Sequence, residues 1–165
     1  MNIGLLGFGV VGGGVWELAQ ENRALNVKKV LVRREAPSLG KAAVQDVEAI
    51  LRDTEIDTVV EVLGGLHPAY EWICRALAAG KDVVTANKAV ISAYYRELTA
   101  LARENGVALR CTAAVGGGIP WLVNLQRCRR VDTVTEVGGI MNGTTNFIMD
   151  AMARQGADFP AVLQR

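Results

Sequence analysis

A lysine and a glycine-rich turn are the residues of this chain whose types and spacing could do chemistry. Lys88 lies in the run Val83-Val84-Thr85-Ala86-Asn87-Lys88-Ala89, and the turn reads Gly7-Phe8-Gly9-Val10-Val11-Gly12. Glycines at this spacing let a strand turn tightly into a helix, whose positive end holds a pyrophosphate. An ammonium group just past a strand end can bind a carbonyl or alkoxide oxygen and exchange a proton with it. Together these features indicate nicotinamide redox chemistry on a small polar substrate.

The elements that must position these residues follow from hydrophobic patterning. Apolar runs alternate with amphipathic stretches, which is the pattern of βαβ units around a parallel sheet. Strands are predicted at residues 2–7, 27–33, 58–63, 82–85 and 107–111, and helices at 10–20, 47–52, 69–79 and 93–105. The fold class is therefore α/β, with a Rossmann-like doubly wound parallel sheet over residues 1–115. Residues 116–165 are predicted to begin a second, α+β domain, with a helix at 121–128, a strand at 133–138 and a further helix after Asn142.

The glycine turn has the sequence context of a nucleotide site. It follows an apolar strand and opens a helix, and its glycines have separate tasks: Gly7 permits the tight turn, Gly9 the approach of a pyrophosphate and Gly12 close helix–strand packing. The alternative is a glycine-rich turn needed only for packing, an interpretation that Gly13 and Gly14 keep open.

Cofactor choice depends on the end of the second strand, which reads Val32-Arg33-Arg34-Glu35. Two guanidinium groups favour a 2′-phosphate and therefore NADP over NAD. Glu35 comes a residue or two late for a ribose hydroxyl and could instead pair with the arginines. If Arg33 and Arg34 are only exposed loop residues, the choice between the two cofactors stays open.

Composition excludes several other classes of protein. The net charge is +1 and the basic residues form only short clusters, so neither nucleic acid nor a membrane surface is indicated as a partner. Cys74, Cys111 and Cys128 are odd in number and read as reduced thiols, and no secretion signal is apparent, so we expect a cytoplasmic location.

Lys88 differs in its sequence context from an ordinary surface lysine. Lysines are usually solvated surface groups, but this one lies between a buried strand and an apolar stretch and follows Thr85, Ala86 and Asn87. It also lies past the carboxyl end of a strand, where ligands collect in open parallel sheets. A catalytic role is therefore expected.

The motifs, taken in order, resemble homoserine dehydrogenases along essentially the whole chain. Besides the glycine turn and the run that contains Lys88, the matching segments are Glu61-Val62-Leu63-Gly64-Gly65, Val115-Gly116-Gly117-Gly118-Ile119-Pro120 and Gly139-Ile140-Met141-Asn142-Gly143-Thr144-Thr145-Asn146-Phe147-Ile148. The resemblance implies NAD(P)-dependent interconversion of L-homoserine and L-aspartate 4-semialdehyde, a step towards threonine, methionine and isoleucine. It also implies that residues 116–165 begin a substrate and dimerisation domain and that the complete protein is a homodimer.

The resemblance also assigns residues. Those expected at the cofactor are Gly7, Phe8, Gly9, Val10, Val11, Gly12, Arg33, Arg34, Gly64, Gly65, Asn87 and Lys88. Lys88, as the catalytic residue, would lie between the nicotinamide and the substrate, and Asn142, Gly143 and Thr144 would also contact the substrate. For this last turn, a helix N-cap is an equally physical interpretation, and it does not exclude substrate contact.

Two departures from the family pattern bear on these expectations. Backbone carbonyls of Val115, Gly117 and Ile119 would hold a monovalent cation such as sodium, but Thr112 stands where the family usually has a Glu ligand. The later acidic segment, which in the family carries another catalytic lysine and the carboxylates for the substrate amine, has no counterpart before Arg165. The chain alone is therefore expected to be inactive, with an unpaired edge and apolar surface at residues 133–138.

Two other functions remain alternatives. One is a catalytically silent dinucleotide-binding module. The other is a related semialdehyde or amino-acid dehydrogenase, which the Asn87-Lys88 and Asn142-Gly143-Thr144 pairings disfavour.

Overall fold

The computed structural model describes residues 1–34 and 36–164. The chain divides into two compact units, residues 1–125 and 126–165. The functional domain boundary expected after residue 115 stays a prediction.

The first unit is built on a six-stranded, wholly parallel sheet. The strands are β1 (Asn2–Leu6), β2 (Asn26–Leu31), β3 (Ala43–Val44), β4 (Thr58–Glu61), β5 (Asp82–Thr85) and β6 (Leu109–Arg110). Their order across the sheet is β3-β2-β1-β4-β5-β6. The order reverses between β1 and β4, so a crevice for ligands is expected beyond the carboxyl ends of these two strands. The predicted Rossmann-like fold is confirmed.

Helices connect the strands and cover both faces of the sheet. In the first unit they are α1 (Val10–Glu21), α2 (Glu48–Leu51), α3 (Ala69–Ala78) and α4 (Lys88–Glu104). Gly80 and Gly106 follow α3 and α4 with φ of 72° and 67°, and this left-handed conformation explains why glycine ends both helices. The boundary between the two units falls within α5 (Trp121–Cys128).

The core lies on both faces of the sheet because side chains alternate along each strand. Leu6 and Val59 belong to one buried cluster, which also receives Leu77 and Leu98 from α3 and α4. Leu5 and Val60, their neighbours in the chain, belong to a second cluster on the other side. Burial on both faces is what a continuous apolar strand requires, and it fixes the register of β1 against β4.

The second unit consists of short helices around a small core. Helix α6 (Gly143–Gln155) is capped by Asn142, whose Oδ1 accepts a hydrogen bond from the Thr145 amide at 3.1 Å. It is followed by α7 (Phe159–Leu163), and Ile148, Ala151 and Val162 are the buried residues.

Four local features of the structure differ from expectation. Helix α4 begins at Lys88 and not near residue 93, and the short strand β3 and the helix α7 were not expected. Residues 133–138 are exposed and form no strand, since they pair with no other described segment and solvent can satisfy their backbone groups. The apolar exposure expected there is present at Val134 and Val137.

None of the helices in the described part of the chain has the length and apolar character needed to cross a membrane.

Candidate active site

The glycine turn presents a free helix N-terminus at the carboxyl end of β1. Gly7 leaves the strand with φ of 106°, and Gly9 is the N-cap of α1 with no side chain bonded to the first amides. Those amides point out of the helix and carry its positive dipole end. A Cβ at Gly9 would have no atom within 4 Å, so the space beside the turn is open.

Gly12 has the packing task that its spacing predicts. A Cβ added there would lie 2.2 Å from the carbonyl oxygen of Gly7, so only glycine lets α1 approach the turn this closely. Val10 and Val11, between these glycines, are exposed. The turn therefore has room for an anion outside and none for a side chain inside, which fits the pyrophosphate of a dinucleotide.

A cavity of about 600 Å³ extends from this turn to the end of β2. Its lining residues are Gly7, Phe8, Gly9, Leu31, Val32, Arg33, Arg34, Ala36, Val62, Leu63, Pro68 and Trp72. Arg33 and Arg34 are both exposed at its rim. This volume and mixed lining suit the nucleoside half of a dinucleotide. Glu35, which could compete for the arginines, lies outside the described residues.

A second cavity, of about 360 Å³, connects the first turn of α1 to Lys88. Its lining residues are Val11, Val62, Leu63, Gly64, Gly65, Ala86, Asn87, Lys88 and Ala89. Gly64 and Gly65 both have positive φ, 76° and 75°, which carries the backbone sharply around the cavity after β4. The structure thus places five of the expected cofactor residues on one cavity: Val11, Gly64, Gly65, Asn87 and Lys88.

Lys88 is the first residue of α4 and is exposed. A cation at a helix N-terminus opposes the helix dipole, which typically costs about 0.3–1 kcal/mol. A residue that breaks a local stability rule at the edge of a cavity is a candidate for function.

Asn87 is the N-cap of α4, and its side chain is engaged within the protein. Its Oδ1 accepts from the Val90 amide at 3.3 Å, while Nδ2 donates to the Gly65 carbonyl at 2.7 Å and to Glu61 at 3.3 Å. Only 5% of the residue is exposed. Its direct contact with a cofactor stays a prediction, whereas its role in starting α4 is structural.

Glu61 is the polar residue of this site that sequence reasoning gave no role. It ends β4, is fully buried, and accepts hydrogen bonds from Thr85 Oγ1 at 2.6 Å and from the Leu63 amide at 2.8 Å. The available signal was a lone acidic residue in the apolar run from Val59 to Leu63.

The remaining predicted residues belong to two other segments of the chain. Asn142, Gly143 and Thr144 are exposed in the second unit, where Asn142 supplies the predicted N-cap, and substrate contact stays a prediction. Val115, Gly117 and Ile119 surround a turn at which Gly116 and Gly117 have positive φ. The Ile119 carbonyl accepts a hydrogen bond from the Trp121 amide at 2.7 Å. Among the described residues, no group of three or more His, Cys, Asp or Glu is placed to hold a metal ion.

A parallel sheet with a glycine turn, a free helix N-terminus and a crevice at the point where strand order reverses defines a Rossmann-type dinucleotide-binding domain. A family profile described as "Homoserine dehydrogenase, NAD binding domain" matches residues 7–112, and one described as "Homoserine dehydrogenase" matches residues 120–165. The chain belongs to the homoserine dehydrogenase family.

Curated relatives and solved structures agree with this assignment. A homoserine dehydrogenase of Synechocystis sp. is 42% identical over 175 residues, which cover 99% of this chain and 40% of that protein. One of Bacillus subtilis is 36% identical over 178 residues, covering 99% and 41%. The crystal structure of a homoserine dehydrogenase from Thiobacillus denitrificans is similar with a TM-score of 0.90 at 38% identity, over 99% of this chain and 41% of that one.

A structure described as a hyperthermophilic archaeal homoserine dehydrogenase in complex with NADPH has a TM-score of 0.83 at 25% identity, covering 99% of this chain and 59% of that one. The chain spans about 40% of the length of the curated relatives named above.

Proposed function

We propose that this chain supplies the cofactor domain and the start of the substrate domain of an NAD(P)-dependent homoserine dehydrogenase. The reaction is the interconversion of L-homoserine and L-aspartate 4-semialdehyde on the route to threonine, methionine and isoleucine. The observation that carries the proposal is the second cavity, because it joins the dinucleotide-type helix N-terminus of α1 to the exposed ammonium group of Lys88.

The residues of this chain have distinct tasks in that reaction. The amides at the start of α1 bind the pyrophosphate, and the turn of Gly64 and Gly65 leaves room for the rest of the dinucleotide. When bound, the nicotinamide supplies the hydride chemistry. Lys88 holds the oxygen of the substrate and exchanges a proton with it, so that charge on this oxygen is neutralised as the carbon is reduced or oxidised.

Replacement of Lys88 tests the catalytic proposal. In the full-length protein, Lys88→Ala should lower kcat by about 100-fold or more, which is the usual contribution of a positioned acid–base group. The dissociation constant of the nucleotide should change much less. Lys41→Ala, at another exposed lysine, is the matched control and should change neither. Equal losses in turnover and nucleotide affinity would contradict the role of Lys88.

NADP is the proposed cofactor because Arg33 and Arg34 lie at the rim of the larger cavity, where a 2′-phosphate would meet two guanidinium groups. Arg33→Gln and Arg34→Gln should weaken NADPH binding about 10-fold each, the value of a hydrogen bond to a charged group, and leave NADH binding nearly unchanged. Arg23→Gln, at an exposed arginine between α1 and β2, is the control. Equal losses for both nucleotides would mean that the two arginines contact a group that NADPH and NADH share, and no loss for either would favour a surface role; both results would remove the argument for NADP.

The alternative, a silent dinucleotide-binding module, predicts that the full-length protein binds nucleotide without any Lys88-dependent turnover. Substrate contact by Thr144, a monovalent cation at Val115, Gly117 and Ile119, a homodimer and a cytoplasmic location belong to the proposal. The free thiols of Cys74, Cys111 and Cys128 support the last of these.

A further inference from the structure

Glu61 is a buried acid without a basic partner. None of its surface is exposed, and among the described residues no lysine or arginine forms an ion pair with it. The neighbouring positions on β4, Val59 and Val60, are filled by valine, so the sheet does not need a polar side chain here. Burial of an acid is unfavourable unless its oxygens receive hydrogen bonds, and the protein supplies three.

The three donors all come from segments that surround the second cavity. Oε1 accepts from the Leu63 amide and from Asn87 Nδ2, at 2.8 and 3.3 Å, and Oε2 accepts from Thr85 Oγ1 at 2.6 Å. Leu63 precedes the Gly64-Gly65 turn, Thr85 ends β5, and Asn87 is the N-cap of α4. One carboxyl group therefore ties together two segments that line the same cavity as Lys88.

Thr85 links the backbone of Asn87 to Glu61, because its hydroxyl group accepts one hydrogen bond and donates another. Its Oγ1 accepts from the Asn87 amide at 3.0 Å, so its own proton is free to be donated to Glu61. The chain of bonds runs from the Asn87 backbone through Thr85 to Glu61, and back from Glu61 to the Asn87 side chain. Both the backbone and the side chain of the residue before Lys88 are fixed by it.

Asn87 alone would be enough to cap α4, since its Oδ1 already accepts from the Val90 amide. The hydrogen bonds of Asn87 to Glu61 and Thr85 also fix how this cap is oriented relative to β4 and to Gly65. We propose that Glu61 is a positioning residue, which acts through Thr85 and Asn87 to aim the ammonium group of Lys88 into the second cavity. This inference rests on the proposed role of Lys88.

Glu61→Gln is the primary test, made in the full-length protein. Glutamine has the same shape, but only one of its two terminal groups is a hydrogen-bond acceptor. Thr85 and Asn87 donate to different oxygens of Glu61, so one of them loses its acceptor in the variant and the network must rearrange. We expect kcat to fall about 10- to 100-fold, the usual effect of a misplaced catalytic group, with nucleotide affinity within about threefold of the wild type.

Thr85 provides a second and independent pair of variants, which keeps the test usable if Glu61→Gln does not fold. Thr85→Val removes the hydroxyl and should lower kcat, whereas Thr85→Ser retains it and should restore most of the turnover. Thr58→Val is the matched control, because Thr58 is also a buried strand threonine but donates to Asp57 at the opposite end of β4. This control should lower stability without a loss in kcat.

A double-mutant cycle separates this inference from the proposed function. If Glu61 acts through Lys88, Glu61→Gln should cost less than about twofold in kcat when Lys88 is already alanine. A full additional loss in that background would overturn the positioning role while leaving Lys88 catalytic. Lys88→Ala without effect would instead overturn both proposals. A result in which Glu61→Gln and Thr85→Val lower only the melting temperature, as Thr58→Val does, would show that the network is structural.

Discussion

The two ends of the parallel sheet use charged side chains for different purposes. At the amino end, Lys81 precedes β5 and is 5% exposed, with Nζ donating to the carbonyls of Asp53 and Ile56 at 2.6 and 2.7 Å. At the carboxyl end, Lys88 follows the same strand and is exposed beside a cavity. The two lysines flank one strand, yet one closes a loop and the other faces the space where a ligand would bind.

The acids show the same contrast. Asp57, at the amino end of β4, accepts from the Asn2 amide at 2.9 Å and from its neighbour Thr58 at 2.7 Å, which joins β4 to β1. Glu61, at the carboxyl end, accepts from residues of two loops and of the adjacent strand. The amino end is thus closed by hydrogen bonds between neighbouring segments, whereas cavities lie at the carboxyl end, which is the ligand-binding edge of such a sheet.

The largest effect is expected on the free energy of unfolding, when Lys81 and Lys88 are each replaced by alanine. Lys81→Ala should lower the free energy of unfolding by about 2–4 kcal/mol, because two carbonyl groups lose their donor and the buried stem leaves a gap. Lys88→Ala should change it by no more than about 1 kcal/mol, and in the stabilising direction, because the side chain is exposed and its charge opposes the helix dipole. Urea unfolding of both variants measures the difference. Similar losses of stability in the two variants would contradict a structural role for Lys81 that Lys88 does not share.

The next effect compares two glycines of α1. Gly12→Ala places a Cβ against the Gly7 carbonyl, so we expect a loss of about 1–3 kcal/mol in stability from overpacking. Nucleotide affinity should also fall, because the turn must open. Titration of the nucleotide measures the second effect.

Gly13→Ala is the matched control, since its Cβ would meet nothing within 4 Å and alanine favours a helix by up to about 1 kcal/mol. Normal nucleotide binding by Gly12→Ala would contradict the tight-turn role. Loss of binding by Gly13→Ala would mean that the space beside the turn is also required.

Much of the carboxyl end could be predicted from the sequence because its signals are local. The strand before Gly7, the helix after Gly9 and the strand that ends at Thr85 are each marked by an apolar run next to a characteristic turn. The helix start at Lys88 is harder to predict, because Asn87, which is a good N-cap, also lies in a motif that indicates a cofactor site.

What could not be predicted depends on contacts between segments distant in the chain. The role of Glu61 requires Thr85 and Asn87, which are brought to it only by the pairing of β4 with β5. Strand β3 is two residues long and has no periodicity of its own; it exists because β2 pairs with it. Residues 133–138 show the converse, since a strand-like sequence stays irregular there and pairs with no other described segment.

The smallest expected effect is the pH dependence of the amino end. The hydrogen bond from the Asn2 amide holds the pKa of Asp57 below its ordinary value of 3.8. Because the folded pKa is the lower one, the ionised carboxyl stabilises the fold above about pH 3.8, and this contribution is lost as the pH falls from there through the folded pKa. Asp57→Asn should remove it, at a cost of less than about 1 kcal/mol at neutral pH because the group is exposed.

Unfolding measured from acid to neutral pH should show the stability curves of wild type and variant converging at low pH, while nucleotide affinity at neutral pH is the same for both. Parallel stability curves would remove Asp57 from the acid response, and a change in nucleotide affinity would connect the two ends that the structure keeps separate.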